Sequence, residues 1–334
     1  LNDMINRRNL MAGAAIVGAL AMSDMPAFAQ DVTLRFGHYA HTADTAHKAA
    51  EHFAELVSQK TDGSLAIEVF PAGELGNSPT MLEGARLGTI DIVLTGNPYF
   101  TGFAPALNLL DLPFLFENDA HAYAVLDGEV GQALMDQINS AGLQGLAFWE
   151  LGFRSLTNNV RPVREPADLE GLKIRTTPNP AHIKAFETLG ANPTPMPFSE
   201  VYAALQTGTI DGQENPVNHI YASKLQEVQK YLSLTEHAYT AAPLVMNAMR
   251  FNSLSDEHKA ALREAALEAA AFERQLNDEE EAGSLEGMRA AGMEIIEDPD
   301  REAFREAVAD VTREAYVAEH GSELLDKAIA AAGD

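Results

Sequence analysis

Residues 32–36 alternate apolar and polar side chains, the period of a strand with one buried face, and residues 172–176 do the same. A stretch with helical spacing follows each run, 44–60 in one case and 181–189 in the other. Each of these helices stops at a glycine, Gly63 and Gly190. A second extended segment comes next, 65–70 and 193–196, and then a second helix, 79–87 and 199–207. Ser199 is placed to cap the latter, with Glu200 just inside. Both helices run into the same four residues: Gly88-Thr89-Ile90-Asp91 recurs 120 residues later as Gly208-Thr209-Ile210-Asp211. Glycine suits the left-handed position that closes a helix, so strands are expected at 90–95 and 209–213. The order β-α-β-α-β therefore occurs twice. Right-handed crossovers turn each copy into a parallel sheet with helices on both faces.

A different pattern takes over after residue 254. Residues 255–292 are rich in Ala and Glu and contain no proline, with Ser255 as cap and Asp256 and Glu257 in the first turn. One helix of that length spans about 54 Å, enough to cross two lobes. The alternative is a break near Gly283 or Gly287. Residues 301–331 predict further helix. The expected fold is α/β and two-lobed, each lobe a β-sheet flanked by helices, with a long helix crossing both.

The first thirty residues follow another logic. Arg7 and Arg8 precede an uncharged run of thirteen residues, 10–22, and Ala27-Phe28-Ala29 offers small residues for cleavage. This is the layout of an export signal, removed near Ala29. The run is too short to span about 30 Å of hydrocarbon. A periplasmic location is expected. Acidic residues number 49 against 23 basic ones, a net charge of -26, which disfavours nucleic acid and anionic membrane surfaces. Cysteine is absent, which removes disulfides, thiolate nucleophiles and Cys-ligated metals.

Ligands of open α/β sheets sit beyond the carboxyl ends of the strands. Those ends carry His38 and Tyr39, Gly96 and Asn97, Arg175 and Thr176, and Glu214 and Asn215. Ser78 and Phe198 precede the second helices, and residues 145–149 predict a strand that delivers Trp149, Glu150 and Arg154. Arg175 is singled out because a guanidinium fork grips a carboxylate through two bonds, and a protein this acidic needs a local cation to capture an anion. Arg154 is a second donor. Trp149 suits a core or a cleft wall. His38, His41, His47 and His52 cluster, but His47 and His52 sit about 140° apart around a helix, so no tetrahedral metal set closes there. No nucleotide-binding, zinc-protease or serine-hydrolase motif is present, and no cofactor is expected.

Three runs carry a resemblance: Gly171-Leu172-Lys173-Ile174-Arg175; residues 189–202, with Asn192-Pro193-Thr194-Pro195-Met196-Pro197-Phe198 at their centre; and Asp211-Gly212-Gln213-Glu214-Asn215-Pro216. With Glu227-Val228-Gln229-Lys230-Tyr231-Leu232, they resemble the extracytoplasmic solute-binding subunits of TRAP transporters, the DctP family. The resemblance covers residues 31–330 and implies a two-lobed periplasmic-binding-protein fold that closes on a ligand and delivers it to TRAP membrane subunits. It implies that Arg175 pairs with the ligand carboxylate, that Arg154 and Asn215 contact the ligand, and that Phe198 packs on it. Tyr39, Ser78 and Gly96 fall where sialic-acid-binding members carry other contacts, which argues against sialic acid. The lobes are expected to comprise residues 31–151 with 241–280, and 152–240 with 281–334. Residues 146–154, with His38 and Tyr39, are similar to members that take uronic and other sugar acids. Trp149, Glu150 and Asn97 are further candidates to satisfy hydroxyls. The expected role is binding, not catalysis. The runner-up ligands are C4-dicarboxylates and 2-oxoacids; a different class is a metal-dependent hydrolase of sugar acids built on the histidines.

Overall fold

The first repeat folds as β1 (Val32–His38), α1 (Thr45–Lys60), β2 (Leu65–Phe70), α2 (Ser78–Leu87) and β3 (Ile92–Leu94) in a computed structural model that describes residues 32–333. The predicted export signal lies outside the described residues. Next come α3 (Asp119–Asp127), α4 (Glu129–Ser140) and β4 (Leu143–Asn158). The second repeat is β5 (Lys173–Arg175), α5 (Pro180–Thr188), β6 (Asn192–Pro193), α6 (Val201–Gln206) and β7 (Gly212–Pro216). The chain ends with α7 (Val217–Ala222), β8 (Tyr231–Asn247), α8 (Ala248–Asn252), α9 (Asp256–Ala290), β9 (Glu294–Ile296), α10 (Arg301–His320) and α11 (Glu323–Ala330).

The four-residue echo is structural down to single hydrogen bonds. Gly88 and Gly208 both adopt positive φ, 81° and 71°. The next amide turns back in the same way, Thr89 to the Gly84 carbonyl and Thr209 to the Ala204 carbonyl, each at 2.9 Å. The aspartates then cap the neighbouring strand: Asp91 accepts from the Arg35 amide and Asp211 from the Lys173 amide, each at 2.8 Å. These bonds fix where β3 and β7 enter the sheet.

The repeat predicts two separate sheets; among the described residues there is one sheet of nine strands, in the order β2-β1-β3-β8-β4-β7-β5-β6 with β9 beside β8. Each repeat does form its own parallel trio, β2-β1-β3 and β6-β5-β7. The long antiparallel strands β4 and β8 join the trios. Residues 145–149 are thus only part of β4. Smaller corrections concern helix ends. Ser199 lies inside a 3-10 turn (Phe198–Glu200), so α6 starts at Val201, and the C-terminal helix breaks at Gly321, φ 77°.

Helix α9 is unbroken across Gly283 and Gly287 and is 35 residues long, about 52 Å. The Ser255 side chain caps it at the His258 amide. It touches both repeats' surroundings. Thr45 of α1 donates to Asn277 at 2.6 Å, and Ser284 donates to Asn218 of α7 at 2.8 Å. The architecture is the expected α/β one, here a single sheet flanked by helices, with the long helix α9 in place.

Candidate functional site

Three adjacent strands deliver the polar side chains. Arg175 ends β5 and pairs in register with Gln213 of β7, and Asn215 of β7 pairs with Ser155 of β4, next to Arg154. From the other repeat come Tyr39, just past β1, Gly96, past β3, and Ser78, at the start of α2. Arg175, Arg154, Asn215, Tyr39, Gly96 and Ser78, with Phe198, line one small cleft. Seven residues named from sequence thus converge: Arg175, Arg154, Asn215, Phe198, Tyr39, Ser78 and Gly96.

The two arginines differ in how they are held. Both are 1% exposed. Arg175 donates from Nε and Nη2 to the Met196 carbonyl, at 3.0 and 2.7 Å, and from Nη2 to the Tyr99 hydroxyl at 3.0 Å. Its Nη1 has no partner among the described residues, and its guanidinium lies 5.8 Å from the Phe198 ring centre. Arg154 is instead bound by protein. Nε and Nη2 grip both carboxylate oxygens of Glu214, Nη2 also reaches Asn215 Oδ1 at 3.1 Å, and Nη1 reaches Thr240 Oγ1 at 3.1 Å. Burial raises the Glu214 pKa, but the Arg154 charge and the His237 hydrogen bond outweigh it, and the carboxyl lies well below the usual range. It is therefore ionised and cancels the Arg154 charge. His182, behind it, is drawn down to about 3 by burial first of all, and stays neutral.

Four residues picked from sequence point elsewhere. His38 is fully buried; its Nδ1 accepts the Ala40 amide at 3.2 Å, so Nε2 carries the proton and donates to His47 Nδ1 at 3.1 Å. Burial, then His47, pulls its pKa to about 3. Asn97 spends its Nδ2 on the Leu107 carbonyl and Asp111, at 2.8 and 2.7 Å, bracing the turn after β3. Trp149 is a core residue, with Nε1 donating to the Ala266 carbonyl of α9 at 3.0 Å and its ring against Phe36 and Phe53. Strand alternation predicts Glu150 on the same face as Arg154, four residues on. A bulge between Glu150 and Gly152 inserts one residue and reverses the parity.

Glu150 consequently lies in a second, acidic cavity with Asp119, Asp278 and Glu281. Burial raises its pKa to about 7, against hydrogen bonds from Tyr239 at 3.1 Å and Asn277 at 3.3 Å. The folded protein therefore holds this proton where the unfolded chain, near 4.5, has lost it, so the group's contribution to stability falls as pH rises from about 4.5 to 7. Glu150→Gln is expected to raise the melting temperature at pH 8 and leave it nearly unchanged at pH 5, a gain on the order of 1–3 kcal/mol. Thermal melts at the two pH values check this; an equal effect at both would show that the proton is not held there.

Sequence reasoning passed over Tyr99, His219 and Thr240, which also line the arginine cleft. His219 follows the Gln-Glu-Asn-Pro run by three residues, so its nearness was readable; Thr240 lies on β8, which was not foreseen. Among the described residues no group of three or more His, Asp or Glu is arranged to hold a metal ion, and His52 packs on Phe272 instead. No helix among them is long and apolar enough to cross a membrane.

The family model of bacterial extracellular solute-binding protein, family 7 (DctP), matches residues 36–319. The 2,3-diketo-L-gulonate-binding periplasmic protein YiaO of Escherichia coli K12 is 44% identical over 320 residues, 95% of this chain and 97% of that one. A TRAP periplasmic solute-binding protein from Polaromonas sp. JS666, bound to D-erythronate, is 37% identical, covers 90% of this chain and 98% of its own, and superposes with a TM-score of 0.87. The sugar acid binding protein DctPAm of Advenella mimigardefordensis, in complex with galactonate, is 35% identical over 91% of this chain and 98% of its own, with a TM-score of 0.88. The chain belongs to the DctP family of TRAP-transporter solute-binding proteins.

Proposed function

We propose that this receptor captures a small polyhydroxylated monocarboxylate, a uronic or other sugar acid, and hands it to the membrane subunits of a TRAP transporter from the periplasm. The observation that carries this reading is the charge in the cleft. Glu214 neutralises Arg154, so of the two guanidiniums only Arg175 keeps an unmatched charge and an unused Nη1. One carboxylate satisfies it; a second would be buried without a counter-charge, at a cost of several kcal/mol. The rest of the lining carries no carboxylate and includes the hydroxyls of Tyr39, Ser78, Thr95, Tyr99, Thr177 and Thr240. By cancelling the Arg154 charge, Glu214 disfavours a second carboxylate. The 2,3-diketo-L-gulonate, D-erythronate and galactonate of the relatives each carry one carboxylate, which supports the same class. The role is binding rather than catalysis.

A thermal-shift panel of uronates, aldonates, C4-dicarboxylates, 2-oxoacids and neutral sugars tests the reading. A sugar acid at about 100 times its dissociation constant is expected to stabilise the fold by roughly 2.7 kcal/mol. A shift with succinate or malate and none with any sugar acid overturns the assignment. An equal shift with glucose and glucuronate overturns the carboxylate anchor.

The lobes we assign to residues 31–151 with 241–280, and 152–240 with 281–334. The irregular backbone supports this, because β4 turns through Gly152 at φ 109° and β8 through Glu236 at φ 40°. Along α9, Lys48 holds Glu280 while Asn218 holds Ser284, on either side of the proposed boundary. A ligand bound between Tyr39 and Arg175 shifts the population toward closure. Small-angle scattering at saturation is expected to show a smaller radius of gyration than without ligand; an unchanged radius counts against the hinge.

A further inference from the structure

We propose that His219, with its ring fixed by Asp44, is the specificity residue that hydrogen-bonds a ligand hydroxyl through Nε2; this rests on the sugar-acid reading above. Asp44 caps α1, accepting the Ala46 amide on Oδ1 at 3.0 Å, and its Oδ2 lies 2.6 Å from His219 Nδ1. Both residues are 4% exposed. Burial favours the neutral acid, but the His219 hydrogen bond and charge, the Ala46 amide and His38 outweigh it, so Asp44 is ionised. An ionised carboxylate at that distance requires the proton on Nδ1.

The imidazole has one other hydrogen-bonding atom. Nε2 has no protein partner among the described residues, and His219 lines the cleft that holds Arg175 and Arg154. The ring cannot swing away: Phe198 lies 4.3 Å from its centre and Tyr39 packs edge-on at 5.3 Å. Turning it over would press a C–H against the buried carboxylate and break the bond to Asp44. With a proton committed to Nδ1, Nε2 is the ring's one remaining hydrogen-bonding atom, held in a fixed position. The residues around it offer hydroxyls, which rotate; His219 Nε2 is the group whose orientation is set from behind. Asp44 is thus a positioning residue, acting through the ring.

A site built to hydrogen-bond a hydroxyl rejects an analogue lacking it more strongly than a merely apolar wall does, because the site's own polar atom is left buried and unpaired. For one such hydrogen-bonding atom the expected loss is about 5- to 100-fold in affinity. Asp44 belongs to the first repeat and His219 follows the second, so the pair forms where the two meet. The fixed ring is therefore completed by closure, and hydroxyl reading is a property of the closed cleft.

Calorimetry with galactonate and its monodeoxy derivatives, on wild type and His219→Phe, tests this. Phenylalanine keeps the ring between Phe198 and Tyr39 and removes the hydrogen-bonding nitrogen. For wild type, deletion of one particular hydroxyl is expected to cost about 5- to 100-fold. In His219→Phe that same deletion is expected to cost nothing further, while the other deletions keep their wild-type cost. His219→Gln, which restores a hydrogen-bonding amide, is expected to recover part of the discrimination at that position, and it serves in its own right should the phenylalanine variant fail to fold. Equal weakening for all derivatives, or none, in the folded variants overturns the role of His219 and leaves the sugar-acid assignment standing. Failure of wild type to bind any sugar acid overturns that assignment and this inference with it.

Discussion

Arg175→Lys is expected to lose nearly as much ligand affinity as Arg175→Ala. Lysine keeps the charge, but its ammonium cannot replace a planar fork. Nε and Nη2 of Arg175 are held by the Met196 carbonyl and Tyr99, and this leaves Nη1 without a partner among the described residues. A lysine must either follow the Met196 carbonyl or reach for the ligand. Removing one partner of a buried, hydrogen-bonded charge pair costs roughly 2–5 kcal/mol, or about 30- to 5000-fold in affinity. Calorimetry on variants shown to be folded reads this directly. Near wild-type affinity in Arg175→Lys would mean that the fork is not used.

Glu214→Ala is expected to damage the fold itself. Arg154 would remain 1% exposed with its counter-charge gone. Breaking a buried pair in this way costs about 3–5 kcal/mol, because an uncompensated charge stays behind. The pH dependence follows from the depressed Glu214 pKa. Its stabilisation is fully present above the ordinary glutamate value of 4.5 and disappears as pH falls through the lower folded value. Urea melts at pH 7 should show a clear drop in midpoint for Glu214→Ala, with a smaller difference between variant and wild type in strong acid. A wild-type midpoint at pH 7 would show that Arg154 is solvated or paired in some other way.

The parts of this receptor that could be read from sequence are those with local chemical signatures. The repeat was legible because a helix-ending glycine and a strand-capping aspartate recur at one spacing, and the structure uses both in both copies. The arginine cleft was legible for a related reason: strand ends with polar residues mark the ligand side of an α/β sheet. β8 was not legible. It is buried on both faces along most of its length, so it reads as an apolar run without alternation, and nothing local says where it pairs. Glu150 was misplaced for a different reason. A single bulge changes side-chain parity, and a bulge is set by the partner strand rather than by the residues that flank it. His38 and Asn97 sit at strand ends as ligand residues do, but their side chains are spent on neighbours brought close only by the folded chain.

The two long strands also constrain how the molecule is made. β3 is bordered on one side by β1, of its own repeat, and on the other by β8, whose paired residues Leu244–Met246 lie about 150 positions further along. Until that segment has been synthesised, the first parallel trio has an open edge, with backbone donors and acceptors that invite the wrong partner. The second trio waits likewise, since β7 leans on β4 and β4 leans on β8. Sheet completion is therefore a late, long-range event, of the kind that slows folding and lengthens exposure to aggregation. A chain cut short before Tyr231 would have both repeats and no means of joining them, so neither half is expected to persist as a free-standing fragment.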